Sequence, residues 1–187
     1  MGQRILIIGA GAGGVSAAAS ARRTNREAEI TLVTEEKYSA YSRCGLPFVL
    51  SREIPSFDNL ILYPSEFYRM MKLNLLLETR ALEVDTSGRA VSVQSKDGSV
   101  RNLSYDSLIM ATGARAAKPP MKGVEKKGVH VVRTIADCQA TDAQLEKSKS
   151  AVVVGAGLIG LEAAAALKER NLKVTVVELL PHVLPLM

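Results

Sequence analysis

Two stretches of this chain obey the same grammar. RILIIGAGAGGVSAAASAR, from Arg4, and AVVVGAGLIGLEAAAALKE, from Ala151, each open with an aliphatic run of strand length. Each then turns through glycines and continues as an alanine-rich run of helical length. A second aliphatic run follows both, EITLVTEE from Glu29 and KVTVVE from Lys173. Strand, turn, helix, strand, written twice, directs the chain toward an α/β fold with parallel strands. A lone G-x-G-x-x-G arises by chance. Two copies in the same context, each with an acidic residue near the end of its second strand, do not.

Each residue type in the motif has a physical task. Gly9 and Gly155 permit the tight turn leaving the strand, Gly11 and Gly157 leave room for a pyrophosphate to approach the backbone, and Gly14 and Gly160 let helix and sheet pack closely. Free N–H groups and the positive end of the helix dipole then face the phosphates. Candidate dinucleotide contacts are therefore Gly9, Gly11, Ala12, Gly13 and Gly14 in the first copy, and Gly155, Gly157, Leu158, Ile159 and Gly160 in the second. The acidic residue can accept hydrogen bonds from ribose hydroxyls. It is Glu178 in the second copy, and nothing basic follows it in LLPHVLPLM, so NADH is favoured over NADPH. In the first copy the register leaves two candidates: strand alignment gives Thr34, whereas the acid is Glu35.

Between the repeats, LILYPSEFYRMM reads as a strand end and a short helix started at Pro64 and Ser65, and LNLLLE as a third buried strand. ALEVD, AVSVQS and VRNLSYDSL alternate with period two around TSGR and KDGS, which predicts a small antiparallel meander. SLIMATGA is another buried strand closing in Thr112 and Gly113. KPPMKG is a crossing, GVHVVRT a further strand, and IADCQATDAQLEKSKS a helix leading into the second repeat near Ser150.

Composition excludes several classes. Hydrophobic residues at 47% and charged residues at 23% are ordinary globular usage and argue against disorder. The net charge of +5 comes from scattered cations without an aromatic ladder, so nucleic-acid binding is disfavoured, while phosphate-bearing ligands suit it. Cys44 and Cys138 form neither a zinc spacing nor a disulfide framework, which makes a reducing cytoplasm the default location. His130 and His182 show no metal or triad spacing, so no metal is expected. The apolar N-terminus superficially resembles an export signal, but its grammar recurs deep in the chain, and Leu6 stands where a myristoylation pattern needs Ser or Thr. No membrane partner is expected.

These residues resemble the two-dinucleotide-binding-domain flavoprotein reductases of the pyridine nucleotide-disulfide oxidoreductase superfamily. The resemblance covers essentially the whole chain and includes YDSLIMATGA, similar to the family's ATG segment beside the flavin nucleotide. It implies a Rossmann-like three-layer FAD/NAD(P)-binding fold with a small antiparallel β meander and an incomplete second Rossmann module. Residues 1–115 would be the N-terminal portion of an FAD-binding domain with its meander at about 81–105, 116–149 a connecting segment, and 150–187 the start of an NAD(P)H-binding domain. Further flavin-side positions implied by the resemblance are Ser42, Arg43, Ala81, Ala111, Thr112 and Gly113.

YSRCGLPF, Tyr41 to Phe48, resembles the single-cysteine segment of coenzyme A disulfide reductases and of cysteine-dependent NADH oxidases and peroxidases. The residues make their own case for Cys44 as the catalytic group. It precedes Gly45-Leu46-Pro47, where a helix can begin, and Arg43 stands beside it; both favour the reactive thiolate. No C-x4-C or C-x-x-C is present, so its redox partner must be an external thiol such as coenzyme A, or an oxygen in a sulfenic acid. Cys138 reads as a packing residue. Three positions depart from the family pattern: Ala40 replaces a serine, Arg43 a smaller polar residue, and Leu158 an aromatic that can gate the nicotinamide site.

The function implied is an FAD-dependent NAD(P)H oxidoreductase passing electrons from NADH through FAD to Cys44, which reduces a disulfide such as coenzyme A disulfide. Alternatives are an NADH oxidase or peroxidase using Cys44 as a sulfenic acid, a nitrite-reductase-like flavoprotein in which Cys44 is incidental, and an inactive nucleotide-binding fragment. The resemblance also implies longer parents that are homodimers acting on small molecules (a disulfide, O2 or peroxide). A chain stopping at LLPHVLPLM is therefore expected to be truncated, to hold flavin weakly and to show little activity.

Overall fold

Strand β1 (Arg4–Ile8) lies at the centre of a four-stranded parallel sheet whose order is β3-β2-β1-β7, with β2 Glu29–Val33, β3 Leu73–Leu76 and β7 Ser107–Met110. Arg4 pairs with Glu29 and Ile8 with Val33, while Ile5 pairs with Ser107 on the other side. In this computed structural model, which describes residues 2–184, β1 is buried on both faces. That is why RILII reads as a continuous aliphatic run instead of an alternating one.

The two faces of the sheet receive different layers. Ile5, Ile7, Ile30 and Leu32 point to a cluster containing Val15 and Ala18 of α1 (Ala12–Thr24), with Tyr68 of α3 (Ser65–Met70). Leu6, Ile8 and Val33 point the other way, to Val91, Val93 and Tyr105. Those last residues belong to the predicted meander and the turn after it: β4 Thr79–Asp85, β5 Ala90–Ser95 and β6 Val100–Ser104 pair antiparallel in sequence order. Period two along each strand thus sorts side chains between helix and meander layers, and the three-layer α/β expectation holds.

The described residues divide into two compact units. One runs to Tyr41 and resumes at Ile61–Ala114; the other comprises Ser42–Leu60 and the residues from Arg115 onward. In the second unit β8 (Ser150–Val154) and β9 (Lys173–Val177) pair in parallel, Ser150 with Lys173 and Val154 with Val177, and α5 (Leu158–Glu169) packs on both. Val153 faces α5 beside Gly160, whereas Val152 and Val154 alternate onto an exposed face.

Helix α4 (Ile135–Leu145) begins with a reciprocal capping box: Asp137 N–H donates to Thr134 Oγ1 at 3.1 Å, and Thr134 N–H donates to Asp137 Oδ2 at 2.9 Å. The sequence-based helix runs to Ser150; the structure ends it five residues earlier, at Leu145, and Ser148 folds its hydroxyl back onto Gln144 O. The strand expected at GVHVVRT is absent. Gly128 takes a left-handed φ of 87°, the Arg133 carbonyl accepts from an arginine side chain, and Thr134 is committed to capping α4. The segment's alternating pattern instead leaves Val131 and Val132 half-buried.

Candidate functional site

The first glycine turn is shaped by close approaches on one side and open space on the other. Gly9 has φ 110°, its amide donates to Val33 O at 2.7 Å, and a Cβ there would strike the carbonyl of Ala111. A Cβ on Gly14 would strike the carbonyl of Gly9, so the helix can sit this near the turn only with glycine at that position. Gly11, the N-cap residue, and Gly13 would meet nothing within 4 Å. No side chain caps α1 and no acid occupies its first turn, so its leading N–H groups are left for an anionic ligand. Ala12 is exposed in that first turn. The ATG segment lies alongside: Ala111 N–H donates to Ile8 O at 2.8 Å, and Thr112 and Gly113 (φ 69°) are exposed.

The second turn repeats this geometry closely. Gly155 has φ 103°, its amide donates to Val177 O at 2.8 Å, and a Cβ on Gly160 would strike the Gly155 carbonyl. Gly157 caps α5 without a side-chain bond and faces open space, and Leu158 and Ile159 are exposed at the start of the helix.

Matched amides settle the register question. Gly9 bonds Val33 and Gly155 bonds Val177, so the residue equivalent to Glu178 is Thr34, and Glu35 lies one further on. Thr34 gives its amide to Leu76 O at 2.9 Å and its hydroxyl oxygen accepts from Glu36 N–H at 3.3 Å. Glu35 faces Arg80 at 3.7 Å, both well exposed, an ion pair of little energetic consequence. Glu178 is engaged differently. Its Oε2 accepts from Ala156 N–H at 2.7 Å, and its Oε1 accepts from Leu179 and Leu180 N–H at 2.7 and 3.0 Å. Those amides, Ala156 first, hold its carboxyl below the ordinary glutamate range.

Cys44 is the middle residue of a 3-10 turn, Arg43–Gly45, that runs into the five-residue helix α2 (Leu46–Leu50). Its side chain is exposed. Ser42 N–H donates to Leu60 O at 2.9 Å, and its own carbonyl accepts from Gly45 N–H at 3.2 Å, which closes the turn. A Cβ on Gly45 would collide with the Leu60 side chain. Arg43 is half-buried, and its Nη1 donates to the carbonyl of Arg133 at 2.8 Å, a partner no sequence spacing announces. Cys138 is buried in α4, where loss of hydration, then Asp137 and Asp142, push its thiol up to about 12.

The structure therefore brings Gly9 to Gly14, Thr34, Glu35 and Ala111 to Gly113 together in the first unit. In the second it groups Gly155 to Gly160 with Glu178. It places Ser42, Arg43 and Cys44 in the second unit as well. Ala81 lies in β4 opposite Val93, half-buried against the cluster that holds Ile8 and Val33, next to the Arg80 that faces Glu35. Sequence reasoning missed the Glu178–Ala156 bond and a guanidinium–carboxylate network joining Arg52, Asp142, Glu146 and Arg170. Among the described residues no group of three or more His, Cys, Asp or Glu is disposed to hold a metal, and no helix is long and apolar enough to cross a membrane.

Comparison with known proteins gives a match to pyridine nucleotide-disulphide oxidoreductases over residues 3–187. The chain belongs to that family. Its members are FAD- and NAD(P)H-dependent oxidoreductases, and the two side-chain-free turns fit two dinucleotides. Among the relatives, an NADH oxidase of Methanocaldococcus jannaschii is 42% identical over 185 residues, covering 97% of this chain and 41% of that protein. A CoA-dependent NAD(P)H sulfur oxidoreductase of Pyrococcus abyssi is 34% identical over 92% of this chain and 39% of its own length. The structure of an NAD-dependent persulfide reductase from A. fulgidus superimposes with a TM-score of 0.93 at 37% identity, covering 99% of this chain and 36% of that one. The chain thus spans about two-fifths of the length of these relatives.

Proposed function

We propose that this chain carries the FAD-binding region, the opening of the NAD(P)H-binding region and the redox thiol of a flavoprotein that reduces a disulfide of coenzyme A or a similar small thiol. The observation carrying this reading is the pair of glycine turns with one register and the same close approach of the last glycine to the first one's carbonyl, accompanied by a single exposed cysteine. The first turn and the amides of α1 would hold the pyrophosphate of FAD, with Thr34 and Glu35 toward its ribose and Ala111 to Gly113 beside the nucleotide. The second turn and α5 would hold NADH, with Glu178 toward the adenosine ribose. A 2′-phosphate there would meet a carboxylate, which favours NADH over NADPH.

When bound, FAD supplies the two-electron relay between nicotinamide and thiol. The chain's own contribution is Cys44. As thiolate it attacks one sulfur of the disulfide substrate, a new S–S bond forms to Cys44, the substrate S–S bond breaks, and the second thiolate leaves and takes up a proton. Two electrons then return Cys44 to the thiolate and free the second thiol. An NADH oxidase or peroxidase cycle, in which Cys44 becomes a sulfenic acid and water leaves, is the second reading, favoured by the 42% identity to an NADH oxidase.

Cys44→Ser tests both. It should abolish NADH-dependent reduction of coenzyme A disulfide or peroxide in the FAD-loaded protein while leaving NADH-to-dye transfer largely intact. Wild-type substrate rates in that variant would remove the thiol from the mechanism.

A further inference from the structure

A helix of five residues does not hold itself in place, yet α2 is the mount of Cys44. Leu46, Val49 and Leu50 bury its apolar side, and α2 packs against α4 and α5. Its last carbonyl has a specific partner. Leu50 O accepts from Arg170 Nη1 at 3.0 Å, the same nitrogen donates to Asp142 Oδ1 at 2.8 Å, and Nη2 donates to Glu146 Oε1 at 2.7 Å. The Arg170 side chain is only 14% exposed and Asp142 20%, so the bonds to Leu50 and Asp142 are shielded from water in a way surface ion pairs are not, while Glu146 reaches out to solvent. Asp142 and Glu146 also take Arg52 Nη2 at 3.1 and 3.3 Å, just past the end of α2, where Arg52 holds a left-handed φ of 75°.

Arg170 is also the residue that closes α5, the helix opened by Gly157 of the second glycine turn. One guanidinium therefore ties the end of that helix, two carboxylates of the α4 region and the backbone of α2 into a single node. At the other end of α2, Arg43 is tied to the carbonyl of Arg133. The cysteine is slung between two arginine anchors.

We propose that Arg170 is a positioning residue for Cys44: by fixing the Leu50 carbonyl to α4 and α5 it sets where the cysteine-bearing turn stands. This rests on the reading of Cys44 as the redox thiol. The planar fork serves three acceptors at once, which the single ammonium of lysine cannot reproduce, so Arg170→Lys should retain the charge and only part of the restraint.

The test uses the full chain with Arg170→Met and Arg170→Lys. Two readouts are peptide-resolved amide exchange and the pH profile of Cys44 alkylation by iodoacetamide, followed by mass spectrometry. Arg170→Met loses all three bonds, and loss of the one to the Leu50 carbonyl should by itself speed exchange across residues 46–54 by about tenfold, without change in β1 to β3. The Cys44 alkylation profile of Arg170→Met should differ from that of the wild type, with Arg170→Lys falling between wild type and Arg170→Met. Should Arg170→Met fail to fold, Asp142→Asn, which keeps the arginine and its bond to Glu146 but takes the charge from one of its two carboxylate partners, should shift both readouts in the same direction and by less. Unchanged exchange at 46–54, or an unmoved Cys44 profile, would overturn the proposal. Neither readout requires turnover, so a Cys44→Ser protein that still reduces disulfides would remove the redox reading and leave these results standing on their own.

Discussion

The carboxylate of Glu178 accepts a hydrogen bond from the backbone amide of Ala156 at 2.7 Å, tying the end of β9 back to the turn that leaves β8. The residue read from sequence as a ribose contact is thus also a brace for its own glycine turn. Its carboxyl is held low by the Ala156 amide first and the Leu180 and Leu179 amides after it. The brace is therefore complete above the ordinary glutamate range and is lost as pH falls through the depressed folded value. Protection of the Ala156 amide, its exchange by NMR relative to the intrinsic rate at each pH, should fall on acidification in that window. Glu178→Gln, which cannot titrate, should remove the pH dependence; a dependence that survives in this variant would assign it to another group.

The glycines of one turn should separate folding from binding. In Gly160→Ala the new Cβ meets the Gly155 carbonyl, and destabilisation of about 1–3 kcal/mol is expected from such overpacking. In Gly157→Ala the Cβ enters open space at an extended backbone, so stability should change by no more than about 0.5 kcal/mol. Only the second should retain its melting temperature while weakening NADH binding. Equal losses of stability in the two variants would contradict the geometry.

The two thiols should differ sharply in accessibility. Cys44 is exposed, whereas Cys138 is buried and its thiol is pushed up to about 12. Iodoacetamide at pH 8 should modify Cys44 in the folded chain and reach Cys138 only after denaturation. Comparable labelling of both under native conditions would contradict the packing of α4.

Asp106 offers a titration on an exposed surface. Its Oδ1 accepts from Arg4 Nη2 at 3.0 Å and its Oδ2 from the Arg4 backbone N–H at 2.8 Å; the side-chain bond first, then the backbone one, lower its carboxyl to about 2. The pair's contribution is present above the ordinary aspartate range and disappears as pH falls toward 2. An NMR titration of the Asp106 side chain should place its midpoint near that value, and Arg4→Gln should raise it.

The legible parts of this molecule were those in which neighbouring residues carry the signal. RILII announces a buried parallel strand by its unbroken aliphatic run and EITLV by Ile30, Leu32 and Val33, TSGR and KDGS announce the hairpins, and the glycine spacing announces both turns. GVHVVRT carried a strand's alternation but has no ladder in the structure, because capping α4 and bonding Arg43 claim its end. Arg170 was silent in the sequence for a different reason. Its acceptors stand at Leu50, Asp142 and Glu146, and separations of that kind leave no local trace. The choice between Thr34 and Glu35 needed matching amides in both copies, since a strand's last residue is poorly fixed by pattern alone.

The membership of Ser42–Leu60 in the second unit has a practical side for anyone wishing to dissect the protein. No single cut yields two intact halves: cleavage after Ala114 would strand the cysteine segment on the wrong piece, deprived of α4 and α5. An excision respects the architecture better. Tyr41 and Ile61 already face each other as an antiparallel bridge, and Leu62 N–H donates to Ala40 O at 3.0 Å. A short turn spliced between Tyr41 and Ile61 would release the first unit as a continuous polypeptide ending at Ala114. Such a miniature would carry the first glycine turn and the ATG segment, free of every cysteine in the chain.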